Sequence, residues 1–167
     1  AGADGYVRGE SCGSLALASD AEAGAACSAA LQGSAVRQDG RSASLTAPSG
    51  QAQHGLLRAT LADAGLLAEQ LSLTEAHGTG TALGDPIEAG SLTGAVLQER
   101  PPSCAPLSIG SIKANLGHGE SSAAMPGLLQ LVLEMQHMRG VPNAQLHVLN
   151  PFVAQRTRGA ALVVSTQ

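Results

Sequence analysis

The sequence predicts a layered α/β fold, and three observations carry that expectation. Short apolar runs alternate with longer segments whose apolar residues recur every three or four positions. Glycine and proline punctuate most of the junctions between them. The interior also has to be built from small residues and leucine. The chain is 44% hydrophobic, yet it holds one Tyr, one Phe, no Trp and 21 glycines. Small side chains let backbones approach closely, as in a sheet sandwiched between helices.

Each element has its own signal. Leu15-Ala16-Leu17 after Gly13 reads as a short strand. Ala25 to Val36 is a further apolar stretch, closed by the turn-forming Gln38-Asp39-Gly40. After Pro48-Ser49-Gly50, the residues Ala52, Leu56, Leu57, Thr60, Leu61 and Ala64 mark one helix face, with Gly65 as its stop. Leu71-Ser72-Leu73-Thr74 reads as a strand that runs into a glycine-rich loop. A helix from about Pro86 to Leu97 follows, with Pro86 in its first turn. Leu107 to Ile112 is the next strand. Ala123, Ala124, Leu128, Leu131, Val132, Met135 and Met138 mark the strongest helix, with Pro126 in its first turn and Gly140 and Pro142 as stops. Leu162-Val163-Val164 is the last strand. Two histidine-bearing loops, at His77 and His118, each follow a strand and precede a helix, where α/β proteins place their chemistry.

Composition excludes several functions. The apolar fraction is too high, and the net charge of −4 too small, for a disordered chain. No apolar run approaches the ~18 residues of a membrane helix. Nine scattered basic residues and two aromatics make a poor nucleic-acid surface. Cys12, Cys27 and Cys104 are an odd set without close spacing, which argues against a disulfide scaffold or a cysteine zinc site. A cytoplasmic, reducing location is the default, with an organelle left open. The chain opens without an initiator methionine and without a signal peptide. It begins and ends inside structured-looking stretches, so a fragment is expected.

Two segments are dense in chemistry. In Glu75-Ala76-His77-Gly78-Thr79-Gly80-Thr81, continuing to Gly84-Asp85-Pro86, the glycine spacing G-x-G-x-x-x-G is one residue too long for a dinucleotide fingerprint. No lysine follows, so it is not a P-loop. His77 could donate to a developing oxyanion, and Thr79 and Thr81 could bond an amide-rich ligand; a satisfied histidine in a tight turn is the plainer alternative. The second segment, Ser111 to Glu120, holds the only lysine, Lys113. Glu120, seven residues on, suggests an ion pair with Lys113 beside His118; a surface salt bridge is the alternative.

Other candidates are weaker. Gly119-Glu120-Ser121-Ser122-Ala123 approaches a serine-hydrolase elbow but lacks its second glycine. Its triad would need Glu134 and then His137 or His147. Cys27 resembles a nucleophile at a helix head, but no long helix follows, and a buried structural cysteine is expected. A metal held by His77 and His118 would need Glu75 or Asp85 and fits no known ligand pattern, so no metal site is expected. His54, His137 and His147 have no chemical company.

The chain resembles the ketosynthase (β-ketoacyl synthase) domain of type I polyketide synthases, and more distantly that of fatty acid synthases. Asp4-Gly5-Tyr6-Val7-Arg8-Gly9-Glu10 looks like the stretch after the family's nucleophile. Gly33 to Ser42 and Leu45-Thr46-Ala47-Pro48 look like its central connector. Glu75 to Thr81 with Gly84-Asp85-Pro86-Ile87-Glu88-Ala89, and Lys113-Ala114-Asn115-Leu116-Gly117-His118, resemble its two catalytic-histidine motifs. The resemblance implies a thiolase-like α-β-α-β-α fold, incomplete here: residues 1–45 end the first half and 46–167 make up most of the second. It implies decarboxylative Claisen condensation of an acyl thioester with a malonyl-type unit on acyl carrier protein, with no cofactor bound directly and the substrate carried on phosphopantetheine. His77 and His118 look catalytic, Lys113 and Glu120 supporting, and Thr79 and Thr81 pantetheine-binding. A homodimer is expected for the complete domain. The family's nucleophilic cysteine has no equivalent here, nor has the glycine-rich motif near its carboxyl end. Gly119, Ser121-Ser122 and Arg37 depart from the usual residues. Alone, the fragment is expected to be inactive. A non-catalytic thiolase-fold binding partner, a degraded copy and a serine hydrolase using Ser121 are the competing readings.

Overall fold

A computed structural model describes residues 5–19, 27–42, 44, 47–144 and 146–166. Asp4, Ala25, Ala26, Leu45 and Thr46, and with them the expected boundary between halves, lie outside the described residues. The first helix, α1 (Gly50–Ala64), forms where the apolar spacing places it. Ser49 caps it by accepting the Ala52 N–H. Gly65 ends it in the left-handed region at φ 64°, where an L side chain would be strained. The strand β1 (Leu73–Glu75) is shorter than the apolar run before it. Helix α2 (Gly84–Ala95) starts two residues before Pro86, so the missing proline N–H falls among the first-turn donors that have no helical partner anyway.

Strand β2 (Leu107–Gly110) leads into the single turn α3 (Lys113–Leu116) and then α4 (Ala124–His137). The sequence places the end of α4 at Gly140, but it stops at Met138, which adopts φ 51°. The Arg139 N–H then reaches the Glu134 carbonyl, satisfying a helix-end acceptor. A short helix, α5 (Pro151–Arg156), was not expected from periodicity; its signal is the pair Asn150-Pro151, a side-chain cap followed by proline at the first position. Strand β3 (Leu162–Val164) completes the order.

The three strands form one parallel sheet in the order β1-β2-β3. Leu73 pairs with Ser108 and Glu75 with Gly110; Leu107 pairs with Leu162 and Ile109 with Val164. Alternation then sends Leu107, Ile109 and Leu162 to one face, where they meet Leu57 and Leu61 of α1 and Leu92 and Ala95 of α2. Leu107 is completely buried. Glu75 points to the other face, against Gly127 of α4. The sheet therefore lies between helices, as the alternation of elements implies. Arg100 is buried beneath the strands and donates to the carbonyls of Ala68, Leu71 and Ala105, so one guanidinium satisfies three chain turns.

Two expectations are corrected. Leu15-Ala16-Leu17 is not a strand, and Leu17 stands 81% exposed, because no described strand runs alongside to take its backbone hydrogen bonds. Cys27 is exposed rather than buried: its segment carries no regular element, and the thiol donates to the nearby Ala29 carbonyl. Apolar side chains on α4, among them Leu128, Leu133 and Met135, also face outward.

Leu107→Ala should lower the unfolding free energy by about 2–5 kcal/mol, since it opens a cavity at the centre of the only described apolar cluster. Urea unfolding of the two proteins side by side measures it; a loss below 1 kcal/mol, on the order of a surface change, would place the core elsewhere.

Candidate active site

The first histidine loop is held by carboxylates of the helix that follows it. Glu88 of α2 accepts the backbone N–H groups of His77 and Gly78. Asp85, in the first turn of α2, accepts those of Gly80 and Thr81 at 3.1 and 3.3 Å. Acceptors at a helix N-terminus turn the loop back over the helix and leave the His77 ring free. Gly78 has φ 48°, and a Cβ there would stand 2.7 Å from the Cβ of Ser111. Only glycine lets this loop close on the second one, where the Ser111 hydroxyl donates to the Gly78 carbonyl.

The second loop is fixed from two sides. Asn143 is buried and accepts the Ser111 N–H, while Asn115 accepts the Ala144 N–H, so the strap after α4 is tied to the β2 end. From the other side comes the segment around Arg8. The His118 N–H donates to the Val7 carbonyl at 2.8 Å and the Gly9 N–H to the His118 carbonyl at 3.0 Å. The His118 Nδ1 accepts the Glu120 N–H at 2.9 Å. With Nδ1 an acceptor, the neutral ring carries its proton on Nε2.

The two rings meet. Their centroids lie 5.5 Å apart, edge to face at 89°, and the Tyr6 ring lies 4.9 Å from His118. Both histidines line one cleft of about 1400 Å³, together with Thr79, Ser111, Lys113 and Asn143.

Residues 28–147 match the family described as beta-ketoacyl synthase, C-terminal domain. The chain belongs to the β-ketoacyl synthase family. It is 47% identical over 154 residues to a phenolphthiocerol/phthiocerol polyketide synthase of Mycobacterium tuberculosis, covering 90% of this chain and 8% of that one. It is 48% identical over 154 residues to polyketide synthase GfsB of Streptomyces halstedii, covering 90% of this chain and 3% of that one. Among solved structures it is similar to the oxazolomycin ketosynthase domain OzmH KS7 of Streptomyces albus JA3453, with TM-score 0.75 and 33% identity over 82% of this chain and 23% of that one. The ketosynthase from module 6 of the Bacillus subtilis 168 bacillaene synthase gives TM-score 0.74 and 34% identity, over 81% of this chain and 23% of that one. The chain thus spans less than a quarter of these solved ketosynthases, and its α/β fold is the matching part of their thiolase-like architecture.

Within this ketosynthase segment, the residues singled out by sequence fall into two groups. His77, His118, Lys113 and Thr79 share the cleft. The Thr81 hydroxyl accepts the Gly84 N–H at 3.1 Å, which places it at the start of α2. The expected Lys113–Glu120 pair does not form. Glu120 instead binds Arg8 at 3.0 Å and accepts from the Tyr6 hydroxyl. A seven-residue spacing puts two side chains on one face where the helix is unbroken. Here Gly117 at φ 79° and Glu120 at φ 49° break the path and turn Glu120 toward the Arg8 segment.

The hydrolase arrangement is also absent. Ser121 is exposed on a short 3-10 turn. Glu134 is occupied by the Gln130 side chain and the Val141 N–H, and His137 and His147 are exposed. Among the described residues no three His, Cys, Asp or Glu side chains are grouped to hold a metal. Sequence reasoning missed the roles of Glu88, Asn143, Tyr6 and Arg8. Glu88 had a signal, since it lies one helical turn beyond Asp85 on the helix that faces the loop.

Burial in the cleft wall lowers the His77 pKa, and Lys113 adds to the effect; Glu88 opposes it. His77 is therefore held neutral. A folded-state pKa below the unfolded one means that the unfolded chain binds more protons in the interval between them. Stability then falls as pH drops from 6.5 through that interval. His77→Gln should flatten the dependence of unfolding free energy on pH just below 6.5. Urea titrations at several pH values test this, and an unchanged slope would mean that His77 titrates as it does in the unfolded chain.

Proposed function

We propose that this chain supplies the two-histidine half of a ketosynthase site in its parent protein, where an acyl thioester condenses with a malonyl-type unit during polyketide or fatty acid synthesis. The observation that carries the reading is the pairing of His77 and His118 at 5.5 Å in one cleft, on loops tied down by Glu88 and by the Arg8 segment.

The chemistry asks for such a pair. Loss of carbon dioxide from a malonyl thioester leaves an enolate, and its negative oxygen needs donors already in place. Attack of the enolate carbon on the acyl thioester then moves charge to a second carbonyl oxygen and expels the thiolate that carried the acyl group. Neutral imidazole N–H groups serve both oxygens without giving up a proton, provided that the rings do not reorient. The Glu120 N–H on Nδ1 favours a His118 Nε2–H for that purpose, and burial favours neutral His77. Lys113 is the supporting cation in the same cleft. The acyl-bearing cysteine is assigned to chain outside this segment, because Cys12, Cys27 and Cys104 are all absent from the lining of the cleft.

Carrier protein with its phosphopantetheine arm is the partner in this reading, and the arm enters along Thr79; Thr81 contributes through the loop that it caps. No directly bound cofactor is called for. The parent is read as an acyl-transferring condensing enzyme, cytoplasmic and dimeric, and this segment alone as inactive because covalent catalysis needs the thiolate. Residues 1–45 and 46–167 are assigned to the two halves of the complete domain.

In the parent protein, His77→Ala and His118→Ala should each reduce malonyl-thioester decarboxylation about 10²–10³-fold, the scale for loss of one oxyanion donor. Ser121→Ala should leave condensation unchanged. Single-turnover assays with carrier-bound substrates check both, and full activity in the histidine variants would overturn the assignment.

A further inference from the structure

The least expected polar group in the site is Glu75. It is the last residue of β1, and its side chain runs under the turn that opens the second histidine loop. Its Oε1 accepts the Ile112 N–H at 2.7 Å. Gly127 of α4 forms the floor beneath it: a Cβ there would lie 2.9 Å from the Glu75 Cγ and 3.2 Å from Oε1. Gly110, its partner on β2, lies against Oε2 at ordinary contact distance. The space left by the missing side chain of Gly127 is thus what the carboxylate fills. Gly127 sits inside a helix, where alanine would be favoured, so the space is kept at a cost in helix propensity.

The setting is unfavourable to a negative charge. Desolvation raises the Glu75 pKa, and Glu134 of α4 and Glu88 of α2 raise it further, while the Ile112 N–H and Lys113 of α3 oppose them. Lys113 follows the very residue whose amide Glu75 holds. The same lysine acts on His77. A carboxylate placed there ties down the turn and partly cancels the cation beside the first histidine.

We propose that Glu75 is a positioning residue for this site, its carboxylate anchoring the Ile112–Lys113 turn that leads to His118 and offsetting the charge that Lys113 presents to His77. The proposal rests on the two-histidine reading above and adds to it a carboxylate that feels the Lys113 charge, a role that sequence spacing had given to Glu120.

The test uses the parent protein and the pH–rate profile of malonyl-thioester decarboxylation. Glu75→Gln keeps an acceptor for the Ile112 N–H and removes the charge. It should move the acid limb of the profile to lower pH, because Glu88 of α2 and Asp85 are then left to offset Lys113 and His118 at His77 without it. Glu75→Leu loses the anchor as well and should lower kcat roughly 10- to 100-fold with KM little changed, the mark of a displaced catalytic group. Thermal unfolding of both variants separates a folding defect, and Glu75→Gln alone decides the matter if Glu75→Leu does not fold. An acid limb that stays in place or moves upward in Glu75→Gln overturns the proposal. His77→Ala and His118→Ala are run in parallel. If they are inactive while Glu75→Gln superimposes on the parent, only the role of Glu75 falls; if they are fully active, the two-histidine reading falls and this proposal with it.

Discussion

The two loops of the site close on each other because only hydrogen stands on the Gly78 α-carbon. A methyl group there would occupy the place of the Ser111 side chain, and the chain at Gly78 already turns through a left-handed conformation. Given that contact, β1 and β2 end side by side, Ala76 N–H bonds to the Gly110 carbonyl, and the segments beyond them have to rise over the same cleft. Glu88, Asp85 and Asn143 then hold what the close approach has brought together. None of these polar groups could compensate for a wider gap, since each hydrogen bond reaches only about 3 Å.

The electrostatics follow from that crowding. Burial acts in the same sense on His77, Glu75 and Asp85, favouring the uncharged form: His77 moves down, Glu75 and Asp85 move up. Lys113 opposes that trend at Glu75 and reinforces it at His77, where Glu88 acts against it.

The layered α/β class, the helix at 50–64 with its glycine stop, and all three strands of the sheet were legible in the sequence, because periodicity and helix stops are local signals. The histidine loops were legible too, as glycine-rich segments between strand and helix. What was not legible is non-local. Glu120 turns to Arg8 because of backbone angles at Gly117 and Glu120, and spacing carries no information about those. Leu15 to Leu17 has the composition of a strand but no strand to pair with among the described residues. Cys27 was assigned to the interior by residue type, whereas its surroundings leave it open. Helix α5 is too short for periodicity, and only its cap announces it.

The parallel bridge between Arg8 and His118 joins parts of the chain that leave the ribosome far apart in time. Tyr6 and Glu120, which meet beside it, are 114 positions apart. At about 5–20 residues per second, the early segment waits roughly 5–20 s for the loop it steadies. Until then, the strand-like residues around Val7 have backbone donors and acceptors without their native partner. Vectorial synthesis therefore delivers the Arg8 segment long before the loop it steadies, and Asn143 and β3 later still, so the two-histidine geometry is a late event in the life of each new chain.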